Sequence, residues 1–160
     1  MSATMPITPR GLAQLHERLR TLKEIERPKN VRDIEEARAH GDLRENAEYH
    51  AAKERQGHIV GHIQHVESLI GSVTVIDPAT LSGPKVRFGA TVTLVDLDSG
   101  DEAKTRYQIV GDSEGDLAAG LITISSPVAR ALIGKEEGDE VAVTTPKGRR
   151  MVLIEKVEWG

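Results

Sequence analysis

Apolar residues in the first forty positions fall at helical spacing. Leu12, Leu15, Leu19 and Leu22 recur at steps of three, four and three, flanked by Glu17, Arg18, Arg20, Lys23 and Glu24. That is a heptad seam with charged shoulders. Thr8 followed by Pro9 predicts the helix start, with threonine as N-cap and proline in the first turn, where its missing N–H costs nothing. Pro28 predicts a kink or a break. The pattern resumes at Val31, Ile34 and Ala37 and stops at Gly41. A second helix is predicted over 43–70, with a seam of Ala52, Gln56, Ile59, Ile63, Val66 and Ile70. Two such stripes joined by a short turn predict an antiparallel coiled-coil hairpin. Its first arm would run about 40 Å at roughly 1.5 Å per residue.

The period changes further on. Residues 73–76 form a short strand candidate, and a Pro/Gly-containing linker follows at 78–84. Residues 90–97 and 104–110 alternate as strands around a turn at 98–101, 121–124 is another strand, and 141–143 and 149–157 form a last hairpin. Ser126 and Pro127 open a short helix over 128–133 that Gly134 closes. The expected class is α+β: a coiled-coil hairpin over 1–77 with an acidic tip near 40–46, the linker, and a small antiparallel sheet domain with one short helix over 85–160.

Composition narrows the function. Aromatics make up 2% of the chain, against 38% hydrophobic residues overall, so two lean modules suit it better than one large core. The net charge of −4 argues against a general nucleic-acid coat. There is no cysteine, which removes disulfide and thiolate chemistry. No apolar run approaches the roughly 20 residues of a membrane span, and no secretory leader opens the sequence. A soluble cytoplasmic protein is the expectation, with no membrane partner and no small-molecule substrate.

The stretch AHGDLREN at 39–46 carries the candidate chemistry. Asp42 and Glu45 could be a helix cap, with Asp42 as N-cap and Glu45 reaching back from N3. They could instead share a metal. On a helix, residues three apart have Cβ atoms about 5–6 Å from each other, but Mg²⁺ demands six oxygens. Two acids on an exposed tip would then be half a site, completed by a partner. Arg38, Arg44, Lys53 and Arg55 bracket the tip and could face phosphates or simply solubilise helices. His58, His62 and His65 lie on one face of the second helix, a weak metal signal read mainly as surface or seam edge.

With these elements in place, the chain resembles the bacterial Gre transcript-cleavage factors of the GreA type. The resemblance is carried by 5–11, 36–52, 88–92, 107–111 and 125–134, of which 36–52 is highly specific. It implies that the C-terminal domain has an FK506-binding-protein-like fold and docks at the rim of the RNA polymerase secondary channel. The hairpin would pass down that channel to the nascent RNA 3′ end of a backtracked complex. Asp42 and Glu45 would complete the shell of a weakly held Mg²⁺ shared with the polymerase and stimulate cleavage that the polymerase performs. The chain would then be no enzyme on its own. Ser126 and Pro127 are the candidate polymerase-docking residues. Three alternatives compete: a channel-binding inhibitor, disfavoured by the intact acid pair; a coiled-coil adaptor without chemistry; and a prolyl isomerase, disfavoured because the C-terminal half offers only Phe88, Tyr107 and Trp159 to line a pocket.

Overall fold

The structure is a computed structural model that describes residues 4–41, 46–100, 103–146 and 148–160. Two compact units divide it: Leu12–Ser72, and Met1–Gly11 together with Val73–Gly160.

The first unit is the expected hairpin. Helix α1 (Pro9–Thr21) enters it, a π-helical turn (Leu22–Glu26) follows, and α2 (Arg27–Arg38) completes the first arm; α3 (Ala47–Gly71) is the second. Leu22, Ile59, Ile63 and Val66 form the buried seam, with Leu15, Leu19 and Ile70 packed against it. Each such side chain contributes roughly 1.5–3 kcal/mol on full burial, enough for one stripe per helix to hold the pair.

Pro28 neither breaks nor simply kinks the arm. The Arg27 N–H donates to the Leu22 carbonyl five residues back, so the ladder loosens for one turn and α-helix resumes with Pro28 in its first turn. Such a turn holds one residue more than an α-turn would. The seam therefore re-registers by one position, and here the structure departs from the expected pattern. Val31 is 43% exposed, while Asn30, 1% exposed, takes the inward place ahead of Ile34 and Ala37. A polar residue is tolerated there because the Asn30 amide donates to the Ala52 carbonyl across the hairpin at 2.9 Å.

The second unit holds two sheets. Strands β1 (Met5–Ile7) and β2 (Val73–Val75) pair in parallel, Met5 opposite Val73 and Ile7 opposite Val75. The main sheet runs β5-β4-β3-β7-β6, from β3 (Thr91–Asp96), β4 (Lys104–Val110), β5 (Leu121–Thr123), β6 (Glu140–Thr145) and β7 (Gly148–Glu158). The sheet is not wholly antiparallel, because β5 lies parallel to β4; the chain between them crosses over through a 3₁₀ turn at Leu117–Ala119 instead of turning back as a hairpin. Helix α4 (Pro127–Leu132) closes a core of small aliphatics, among them Val86, Ala90, Val92, Ile109, Leu132 and Ile154.

The boundaries at 77 and 85 are displaced accordingly. Both short strands belong with the C-terminal unit. The expected linker begins as a 3₁₀ turn capped by Asp77, and its Pro78 is buried. Pro78 lies against Gly89 so closely that a Cβ there would meet it at 2.9 Å.

Glu114 fastens β1 and the first turn of α1 to this unit. It is 8% exposed and accepts from the Thr8 N–H at 3.1 Å, from the Thr8 hydroxyl and from the Gly111 N–H at 2.7 Å. The Thr8 hydroxyl oxygen accepts in turn from the Gly11 N–H at 3.1 Å, making Thr8 the helix cap the sequence predicts. A Cβ on Gly11 would sit 2.1 Å from the Glu114 carboxylate. Glu114→Ala therefore strands three buried donors and is expected to cost on the order of 2–4 kcal/mol in denaturant unfolding. Gly11→Ala destabilises the wild type by collision, but costs much less in the Glu114→Ala background, so the two changes show strong non-additivity.

Candidate functional site at the hairpin tip

The two arms are tied together just below their turn. Asn46 is the N-cap of α3: its side-chain oxygen accepts from the Tyr49 N–H at 3.0 Å. Its amide nitrogen donates to the Ala37 carbonyl near the end of α2 at 2.6 Å. One side chain thus satisfies an orphan donor at the start of one helix and adds a second bond to the Ala37 carbonyl of the other, which already accepts from the His40 N–H at 3.1 Å. The Arg38 guanidinium lies 5.9 Å from the centroid of the Tyr49 ring, within range of a cation–π contact. His50 meets that ring edge-on at 5.7 Å.

Asp42, Arg44 and Glu45 fall between Gly41 and Asn46 and lie outside the described residues. The helix cap that the two acids could form therefore lies outside the described residues as well; α3 itself begins at Ala47 with Asn46 as its N-cap. Sequence reasoning missed Asn46. Asparagine caps helices as well as aspartate does, so residue type alone could not choose between them; only the bond to Ala37 does.

The bracketing cations divide by what they do. Arg38 sits beside the tie. The Lys53 ammonium donates to Gln56 at 2.8 Å and stays on the exposed face. Arg55 is drawn to Glu26 at 3.6 Å, but Glu26 also takes Arg18 at 2.8 Å, so one carboxylate is shared between two cations and Arg55 is only partly neutralised. Between α2 and α3 the seam thins to Ala37, Ala51 and Ala52, flooring a groove of about 430 Å³ walled by Asp33, Glu36 and Glu48.

Elsewhere, Ser126 caps α4 by accepting from the Ala129 N–H at 3.3 Å, with Pro127 as first helical residue. Both identities are thereby explained by the helix start. A cavity of about 490 Å³ on the second unit is lined by Leu94, Val128, Val143 and Val152, with Tyr107 as its aromatic member and Asp96 and Arg150 among its polar ones. Trp159 is placed elsewhere, donating to the Gly83 carbonyl at 2.9 Å beneath Arg87. That lining is not the aromatic pocket a prolyl isomerase needs. Among the described residues no three His, Asp or Glu side chains gather to hold a metal ion, and no helix is long and apolar enough to cross a membrane.

Comparison with known proteins matches both units. Residues 5–75 fit the family model "Transcription elongation factor, N-terminal", and residues 81–159 fit "Transcription elongation factor, GreA/GreB, C-term". The transcription elongation factor GreA of Phenylobacterium zucineum is 54% identical over 155 residues, covering 97% of this chain and 98% of that one. That of Agrobacterium fabrum is 54% identical over 160 residues, the whole of both chains. The crystal structure of the GreA factor homolog 1 protein of Thermus thermophilus is a looser match, 23% identical over 97% of this chain and 99% of that one, with a TM-score of 0.44.

Replacing Asn46 separates its two bonds. Asn46→Asp keeps the acceptor and loses the donor; Asn46→Ala loses both. Thermal unfolding should rank wild type above Asp above Ala, with the alanine variant lower by about 1–2 kcal/mol.

Proposed function

The chain belongs to the GreA/GreB family of transcription elongation factors, and we propose that it stimulates cleavage of backtracked RNA by carrying Asp42 and Glu45 into the RNA polymerase secondary channel. The observation that carries this reading is the bond from Asn46 to Ala37. It holds the two ends of the acid-bearing segment together where one helix of the hairpin stops and the other starts. The intact acid pair favours stimulation over plain channel blocking. The chain is then a polymerase-bound cofactor protein acting in the cytoplasm, and not an enzyme by itself.

The donor set fits Mg²⁺ in part. Carboxylate oxygens are the hard ligands it prefers, but two carboxylates cannot fill six positions, and the described residues hold no cluster that would supply the others. The polymerase must provide the rest. Bound there, Mg²⁺ supplies Lewis-acid polarisation and an acidified water. Asp42 and Glu45 contribute negative charge and two oxygens at that position. Arg38, Arg44 and Lys53 offer positive charge to the RNA backbone, where contacts to phosphate give affinity without sequence preference; Arg55, which shares Glu26 with Arg18, adds to it in part. Pro127 is exposed at the start of α4 and Ser126 half-buried, and this corner is the assigned docking point on the polymerase rim.

Asp42→Asn combined with Glu45→Gln tests the reading, because carboxamides keep the size of the side chains and lose their charge. On stalled, backtracked complexes the double variant should leave cleavage at the factor-free rate while competing with wild type for polymerase undiminished. Stimulation at the wild-type rate would remove the role assigned to the two acids.

A further inference from the structure

The exposed flank of α3 beside the seam has a composition the tip chemistry does not use. His58, His62 and His65 are all exposed there, while the neighbouring Ile59, Ile63 and Val66 are buried. None of the three imidazoles has a hydrogen-bond or ion-pair partner among the described residues. Gly57 and Gly61 lie on the same outer surface, and a Cβ added at either would meet nothing within 4 Å. The ring nitrogens are therefore unengaged and sterically open.

We propose that this face binds one borderline divalent transition-metal ion, of the Zn²⁺, Ni²⁺ or Cu²⁺ class, through His62 paired with either His58 or His65. Neutral imidazole is the commonest protein ligand for such ions. Side chains four or three apart on a helix have Cβ atoms about 5–6 Å from each other, which lets two imidazole nitrogens reach one ion at about 2.0–2.1 Å. The same i, i+4 histidine spacing on one helix face holds zinc in metalloproteases. His58 and His65 lie about 10 Å apart along the axis at 1.5 Å per residue, too far to close on one ion with His62. This agrees with the absence of any three-donor cluster among the described residues. The site is a two-point one, its other positions open to water or to a donor from outside the chain. Glu67, the nearest acid toward the helix end, is drawn to Lys23 at 3.5 Å, and Glu54 stands one turn before His58, beyond an ion held by His62. The site differs in both residues and metal class from the Mg²⁺ arrangement proposed for the tip.

Titration of the full-length, tag-free chain with NiCl₂ or ZnCl₂, read by calorimetry and by histidine-ring NMR signals, tests this. One ion per chain is expected, with the rings of His58, His62 and His65 perturbed and those of His16, His40 and His50 not. His62→Ala removes both pairs and should weaken binding by about tenfold or more, as one of two ligands is lost. His58→Ala and His65→Ala each leave a pair and should bind nearly as wild type, whereas the double variant should match His62→Ala. Alanine favours the helix, and circular dichroism confirms that the fold is kept. Wild-type affinity in His62→Ala, perturbation confined to His16, His40 or His50, or no binding at all would each overturn the proposal.

Discussion

A hairpin of two helices can bury only one stripe from each, so the phase of that stripe governs everything along its length. Between Leu22 and Asn30 this chain carries one residue more than a heptad seam admits. The first arm absorbs it in a single π-helical turn just ahead of Pro28. Without that slip, Lys29 and Asp33 would have faced α3 in place of Asn30 and Ile34. The bond from Asn30 to Ala52, the bond from Asn46 to Ala37 and the placing of Arg38 over Tyr49 all lie beyond the π turn and inherit the corrected phase. The joining of the two arms just below their turn is in this sense a consequence of how a helix accommodates a proline.

The C-terminal unit meets a different constraint. With few aromatics it fills its core with small aliphatic side chains from one face of β3 and its neighbours, Val92 and Leu94 beside Ile109, Val152 and Ile154. It then secures β1 and the start of α1 with a polar group. Burial of a carboxylate without a cation is costly unless its oxygens are satisfied, and Glu114 meets that condition with three donors from Thr8 and Gly111. The requirement propagates: Gly11 and Gly111 must lack side chains because the carboxylate and the Pro6 carbonyl occupy that space.

Much of this was legible in the sequence where the signal is local. The seam of α3, the strand at 104–110, Thr8 as a cap and Ser126 as a cap follow from spacing and residue type. What was not legible depends on partners distant in the chain. Asn30 reads as a surface residue until Ala52 faces it. Residues 111–115 read as a turn, and Glu114 within them gives no sign of its role until Thr8 arrives. Strands as short as β1 and β2 carry almost no periodicity, so their pairing across the whole hairpin could not be seen. The direction of β5 was hidden for the same reason. The candidate acids were picked out by their place in a turn between two periodic segments and by resemblance to a family the comparisons then supported.

Side-chain size falls along the hairpin, from Leu22, Ile59 and Ile63 in the seam to Ala37, Ala51 and Ala52 over an open groove near the turn. Apolar contact falls with it, and so does the free energy needed to open the structure locally. The zipped portion is stiff, while the distal portion is held chiefly by a few hydrogen bonds. A load on the two arms would thus be yielded to first over Ala37 and Ala52 and last where Leu22 meets Ile59 and Ile63.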